Sequence, residues 1–153
     1  MKKLFSIILG LVCAAGLVFA VSGCNKEDET KISNTITIRG ATLEIDHAIY
    51  SPHGENATGL HVQTKGGDKG LFGWGDFDSA WIGKTTNLKG EFFMSFNPND
   101  GGPSIDPEIK SGTVKISKVE KGLHVIVDAV ETNGYAFKMN FLAEDEDSFN
   151  ARQ

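Results

Sequence analysis

From residue 35 onward, apolar and polar side chains alternate in short runs. Ile36 and Ile38 alternate with Thr35, Thr37 and Arg39, and Leu43, Ile45, His47 and Ile49 alternate with Thr42, Glu44, Asp46 and Ala48. Leu60 and Val62 flank His61 and Gln63; Phe92, Met94 and Phe96 alternate with Phe93 and Ser95. Val114 and Ile116 alternate with Thr113, Lys115 and Ser117, and Leu123, Val125 and Val127 with His124 and Asp128. Tyr135, Phe137, Met139 and Phe141 alternate with Ala136, Lys138 and Asn140. A period of two puts successive side chains on opposite faces of a strand, so each run predicts a strand with one apolar face. No window past residue 24 carries a helical period.

Turn residues separate these runs. Asn133-Gly134 is the strongest hairpin signal, because a tight turn of this kind needs positive φ at its central residues. With Lys121-Gly122 it predicts a three-strand meander over roughly 112–119, 122–130 and 134–142. Gly66 to Gly70 and Asn97 to Pro103 read as open loops. About eight strands with one apolar face each must bury those faces against one another. The expectation is an all-β domain, an antiparallel two-sheet sandwich, with a closed lipocalin-like barrel as the alternative.

The N-terminus is different. Lys2 and Lys3 precede an uncharged apolar run from Leu4 to Val21, and Val21-Ser22-Gly23-Cys24 ends it with small residues before a cysteine. This pattern resembles the lipobox of bacterial lipoproteins. The resemblance implies cleavage before Cys24 by the lipoprotein-processing machinery and fatty acylation of Cys24, with several acyl chains anchoring firmly where one holds only marginally. The other reading of the run is an uncleaved transmembrane helix. Lys26, Glu27, Asp28 and Glu29 follow at once and resemble the surface-export signal of lipoproteins from gut and oral Gram-negative bacteria. A plain solvated tether would have the same composition. Residue 25 is asparagine rather than aspartate, so the inner-membrane retention signal of enteric bacteria is absent in its usual form. The implied address is the outer membrane, lipid-anchored and exposed on the cell surface.

A looser resemblance runs over residues 40–143. Ile82-Gly83-Lys84, Asn87-Leu88, the run Ser111 to Ile116 and the Asn133-Gly134 hairpin are similar to small β-rich outer-membrane lipoproteins of the same bacteria. The likeness bears on fold and address and carries no catalytic residue. The resulting map is a signal peptide at 1–23, a lipid-anchored tether at 24–34, a β-sandwich domain at 35–143 and an acidic C-terminal tail at 144–153.

Charge and cysteine usage narrow the function. Removal of the signal takes Lys2 and Lys3, so 15 basic side chains become 13 against 20 acidic ones, and the net charge goes from −5 to −7. An acidic domain without a basic cluster is a poor nucleic-acid binder. Cys13 leaves with the signal and Cys24 carries lipid, so the domain has no disulfide, cysteine metal site or cysteine nucleophile. Catalytic and cofactor motifs are absent, and the chain is read as a non-enzyme without a cofactor. His47, His53, His61 and His124 never fall at metal-ligand spacing. His47 stands out, since alternation puts it on the apolar face, where a buried neutral imidazole or a cavity-lining role would suit it. Asn97, Asn99, Asp100, Asp106 and Glu108 could offer oxygen to calcium, but their spacing is that of turns.

The candidate binding surface is the segment from Phe72 to Trp81, which contains both tryptophans. Trp74 and Trp81 offer ring faces, and Asp76 and Asp78 could accept hydrogen bonds from sugar hydroxyls. The competing reading makes both rings core fillers. Asp76 with Asp78 also raises the carboxylate pair of a glycosidase, on slender grounds. Asp78-Ser79-Ala80 matches the short O-glycosylation acceptor pattern of the same bacteria. Two functions follow: a non-enzymatic surface module for a glycan or protein partner, or a barrel-type carrier of a small apolar ligand.

Overall fold

The structure is a computed structural model that describes residues 31 to 153. Cys24, Lys26, Glu27, Asp28, Glu29 and the signal segment lie outside the described residues. Nine strands follow in chain order: β1 (Thr35–Ile38), β2 (Ala41–His53), β3 (Ala57–Thr64), β4 (Leu71–Asp78), β5 (Lys84–Glu91), β6 (Met94–Pro98), β7 (Glu108–Val119), β8 (Gly122–Glu131) and β9 (Ala136–Asp145). One short helix, α1 (Glu146–Asn150), comes last. Among the described residues no helix is long and apolar enough to cross a membrane.

The strands form one sheet in the order β5-β7-β8-β9-β1-β2-β3-β4-β6. Its pairings are antiparallel, apart from a short parallel contact that sets Ile49 beside Glu144 and Tyr50 beside Asp145. The sheet is not closed into a barrel. It folds over so that distant strands share a core: Phe137 of β9 meets Phe92 at 4.7 Å and Phe96 of β6 at 6.1 Å, both edge-on. The fold is all-β and sandwich-like, as the alternation predicts.

The period of two fills the core from the meander of β7, β8 and β9. Leu123, Val125, Val127, Phe137, Met139 and Phe141 all point inward and are at most 2 % exposed. Each such side chain contributes about 1.5–3 kcal/mol on burial. Gly134 supplies the positive φ, 88°, that the turn requires. The turn is wider than two residues, since Glu131 N donates to the Tyr135 carbonyl at 2.9 Å. Tyr135 therefore belongs to the turn and is 52 % exposed, which corrects its expected place on the apolar face.

His47 is the second correction. The register of β2 with β3 slips between Ile45 and His47, where a β-bulge inserts one residue. A bulge reverses which side chains face the core. Ala48 is consequently buried, and His47 turns outward, donating from Nδ1 to Asp46 at 3.1 Å. The bulge sits where β2 leaves β1 and takes up β3, so it serves as the corner between the two halves of the sheet.

Both ends of the described chain lie against this framework. Asn140 Nδ2 donates to the Lys31 carbonyl at 3.0 Å, while its Oδ1 accepts from Nε2 of the buried His124 at 2.8 Å. The Asn34 carbonyl accepts from Ile45 N at 2.8 Å. At the other end, β9 runs on to Asp145, whose carboxylate caps α1 by accepting from Asp147 N and Ser148 N. Residues 146–150 are thus helical within the span read as a tail.

Candidate functional site

β4 shows why Trp74 lies outside. Its burial alternates strictly, with Leu71, Gly73, Gly75 and Phe77 inward and Phe72, Trp74, Asp76 and Asp78 outward. The glycines do not serve to bare the rings. They face the core, where β6 packs too closely for a side chain. A Cβ on Gly73 would stand 2.6 Å from the Phe96 ring, and one on Gly75 would run into the Phe93 carbonyl oxygen. With both neighbours locked inward, Trp74 is fixed on the outer face and is 51 % exposed.

The two tryptophans separate. Trp81 is half-buried against the core, stacked 6.4 Å from Phe77 and edge-on 5.7 Å from Phe93. It is a packing residue here, while Trp74 is a surface one. The acids separate as well. Asp78 accepts from Ala80 N at 2.8 Å and caps the 3-10 turn Ser79–Trp81, which returns Trp81 to the core. Asp76 stays 43 % exposed and accepts from His53 Nδ1 at 2.8 Å. Asp76 and Asp78 stand in line along one open strand face, not across a cleft. The Ser79 hydroxyl, in the glycosylation-like triplet, is hydrogen-bonded to Thr58 Oγ1 at 2.9 Å.

Strand register brings further residues to Trp74. It is paired laterally with His61 of β3 and Ser95 of β6. Along its own strand, Phe72 and Asp76 stand on the same face about 7 Å away. Phe72 pairs with Gln63 and Asn97, and its ring is tilted against His61 at 5.9 Å. Ile49 and Ser51 of β2 extend the face beyond His61 and Gly59. Trp74 therefore has hydrogen-bonding side chains on three sides and a ring on the fourth. The segments 47–53, 57–64, 71–78 and 94–98 that build this region contain no lysine or arginine.

His53, His61 and Ser95 were not singled out from sequence. The alternation of His61 with Leu60 and Val62 announces its outward direction, but only the pairing of β3 with β4 sets it beside Trp74.

The other candidate positions find structural partners. In the loop after β6, Asp100 Oδ1 accepts from Gly102 N, and Asn99 Nδ2 donates to the Gly67 carbonyl, both at 2.9 Å. The first closes the turn, and the second ties this loop to the one at residues 66–70. Among the described residues no group of three or more histidine, cysteine or acidic side chains is placed to hold a metal ion. His47 lines an open cleft of about 220 Å³ with Glu144, Phe149 and Arg152. Phe149 stacks on the imidazole at 5.3 Å, and Arg152 pairs with Glu144. Small-molecule pockets begin at about 300 Å³. Tyr50, at the join of β2 and β9, has its phenol pKa raised above 10.0 by burial and then by the Asp145 carboxylate. Comparison with protein-family models, with curated proteins and with solved structures finds no match, and the functional reading comes from the residues of this face.

Proposed function

We propose that the chain is a lipid-anchored surface lipoprotein of the outer membrane that acts as a non-enzymatic binding or accessory module, and that its partner, a glycan or a protein, docks on the outer face around Trp74. The observation that carries this reading is a large, half-exposed aromatic ring, fixed in place by the strand's inward glycines and ringed by polar side chains. Exposed tryptophans of this kind are common anchors of binding surfaces. The anchor and address rest on Val21-Ser22-Gly23-Cys24 and on Lys26, Glu27, Asp28 and Glu29. The open sheet and the rings filling its core favour a surface module over a barrel-type carrier.

Two measurements on whole cells test the address. Cys24→Ala should abolish incorporation of a tagged fatty acid; label retained by the variant would overturn the lipobox reading. Alanine at Lys26, Glu27, Asp28 and Glu29 should leave the protein in the outer membrane but protect it from added protease. Unchanged shaving would reduce the acidic run to a tether. For the docking face, a photo-crosslinking residue at Ile49, which borders the face beside His61, should yield an adduct on intact cells, whereas one at Lys115 should not.

A further inference from the structure

The chemistry of the Trp74 face selects among partners. We infer that its ligand is an uncharged carbohydrate, one pyranose ring of which stacks on the Trp74 indole while its hydroxyls are held by Asp76, His61 and Ser95. This rests on the proposed docking face and specifies what occupies it.

Three features point the same way. The first is charge. The four strand segments around Trp74 carry Asp76 and Asp78 but no lysine or arginine, so a sulfated, phosphorylated or uronic ligand would meet acids and no cation. Nucleic acid and anionic glycans are disfavoured on this ground.

The second is shape. A cationic ammonium is best held where several rings converge on one point. Here Phe72 leans on His61 and not on Trp74's ring, and Trp74 is 51 % exposed, so the rings do not converge on one point. A single exposed ring suits the apolar C–H face of a sugar ring.

The third is the hydrogen-bonding inventory. A pyranose carries hydroxyls around its rim, each both donor and acceptor. Trp74 is edged by a carboxylate along the strand and by an imidazole and a hydroxyl on its two lateral sides. Asp76 accepts from His53 through Oδ1, and a carboxylate has about four lone-pair sites. Being 43 % exposed, it keeps acceptor capacity toward solvent, while His53 holds its orientation. Gly59, across from Asp76, leaves room for this carboxylate, since a Cβ there would lie 3.3 Å from Oδ1. A protein partner could also use Trp74, but a rim of short polar groups around one ring matches a hydroxylated ring more closely.

The test uses the full chain purified in a detergent without a sugar headgroup. Tryptophan fluorescence and calorimetry are followed against neutral oligosaccharides of glucose, mannose, galactose and xylose, against polygalacturonate and heparin as anions, and against polylysine as a cation. At least one neutral oligosaccharide should bind and shift the emission. Trp74→Ala should weaken it at least about tenfold, equivalent to about 1.4 kcal/mol. Trp74→Tyr should retain part of the affinity, and Asp76→Asn should weaken it less than Trp74→Ala. Unchanged melting of Trp74→Ala keeps the result a matter of binding. Binding confined to the anions or to polylysine, or neutral binding indifferent to Trp74→Ala, would overturn the inference. If no neutral saccharide binds but the position-49 crosslink captures a protein on cells, the docking face stands and its carbohydrate assignment falls. If neither occurs, both fall.

Discussion

The two halves of the sheet share a core but treat water differently. On the outer face of β7, β8, β9, β1 and the start of β2, side chains pair with one another. Asp128 lies 3.3 Å from Lys138 Nζ, and Thr37 shares a hydroxyl hydrogen bond of 2.9 Å with Thr42. Lys65 bonds Glu44 at 3.1 Å where the first half meets the second. Such cross-strand pairs keep a solvated face soluble and contribute little each. The outer face of β3, β4 and β6 instead holds Trp74, Phe72, His61 and Asp76, without a cation on those strands. Inner faces of both halves follow the same rule of alternation. Burial explains the inward residues of both halves, whereas the outward residues of β3, β4 and β6 are the ones on which the proposed binding role rests.

The largest expected effect tests whether the halves are one unit. Phe137→Ala removes a ring that touches Phe92 and Phe96 across the core, and should cost about 3–5 kcal/mol. A melting midpoint lowered by only a degree or two would mean that the halves are not joined through Phe137. Gly75→Ala comes next, at about 1–3 kcal/mol, because its methyl group would push β6 away from β4. It should also impair binding at Trp74, which Ser95 of β6 borders; an unaltered melting curve would contradict the close approach of these strands.

The histidines sharpen the comparison further. His124→Ala removes the partner of Asn140 Oδ1 in a half-buried hydrogen bond and should cost about 0.5–1.5 kcal/mol. His47→Ala, outward at the bulge, should stay within about 0.5 kcal/mol. Chemical denaturation of the two variants would expose a misplaced bulge if their order were reversed. Smallest on stability are Lys138→Ala and Trp74→Ala, both expected within about 0.5 kcal/mol. They should part on binding, which Trp74→Ala weakens and Lys138→Ala leaves unchanged.

What the sequence showed followed from where hydrophobic side chains were available to mark a face. From Leu123 to Val127 and from Phe137 to Phe141 each inward position is Leu, Val, Phe or Met, and the predicted meander is the one observed. In β4 two inward positions are Gly73 and Gly75, which carry no hydrophobic signal, so a strictly alternating strand read as a glycine-rich segment. In β2 a single inserted residue reversed the parity after Ile45, and periodicity alone cannot register such an insertion. The candidate site was legible in part: Trp74 and Asp76 are outward neighbours, while Trp81 and Asp78 build the turn that follows. The residues completing the face, His61, Ser95 and His53, come from other strands, and strand pairing is set by the whole fold.

β9 pairs with β8 and β1, and in its last turns with β2. It is the seam between the halves, and it is also the last of the nine described strands in chain order. Until residues 136–145 are available, β1 lacks one of its two neighbours, although Thr35 and Asn140 are paired in the finished sheet. Such distant pairing slows folding, because the ends of a long loop must meet before any contact rewards them. Assembly of the domain therefore waits for β9: a chain cut short before Ala136 should remain open and protease-sensitive, instead of leaving a stable N-terminal half.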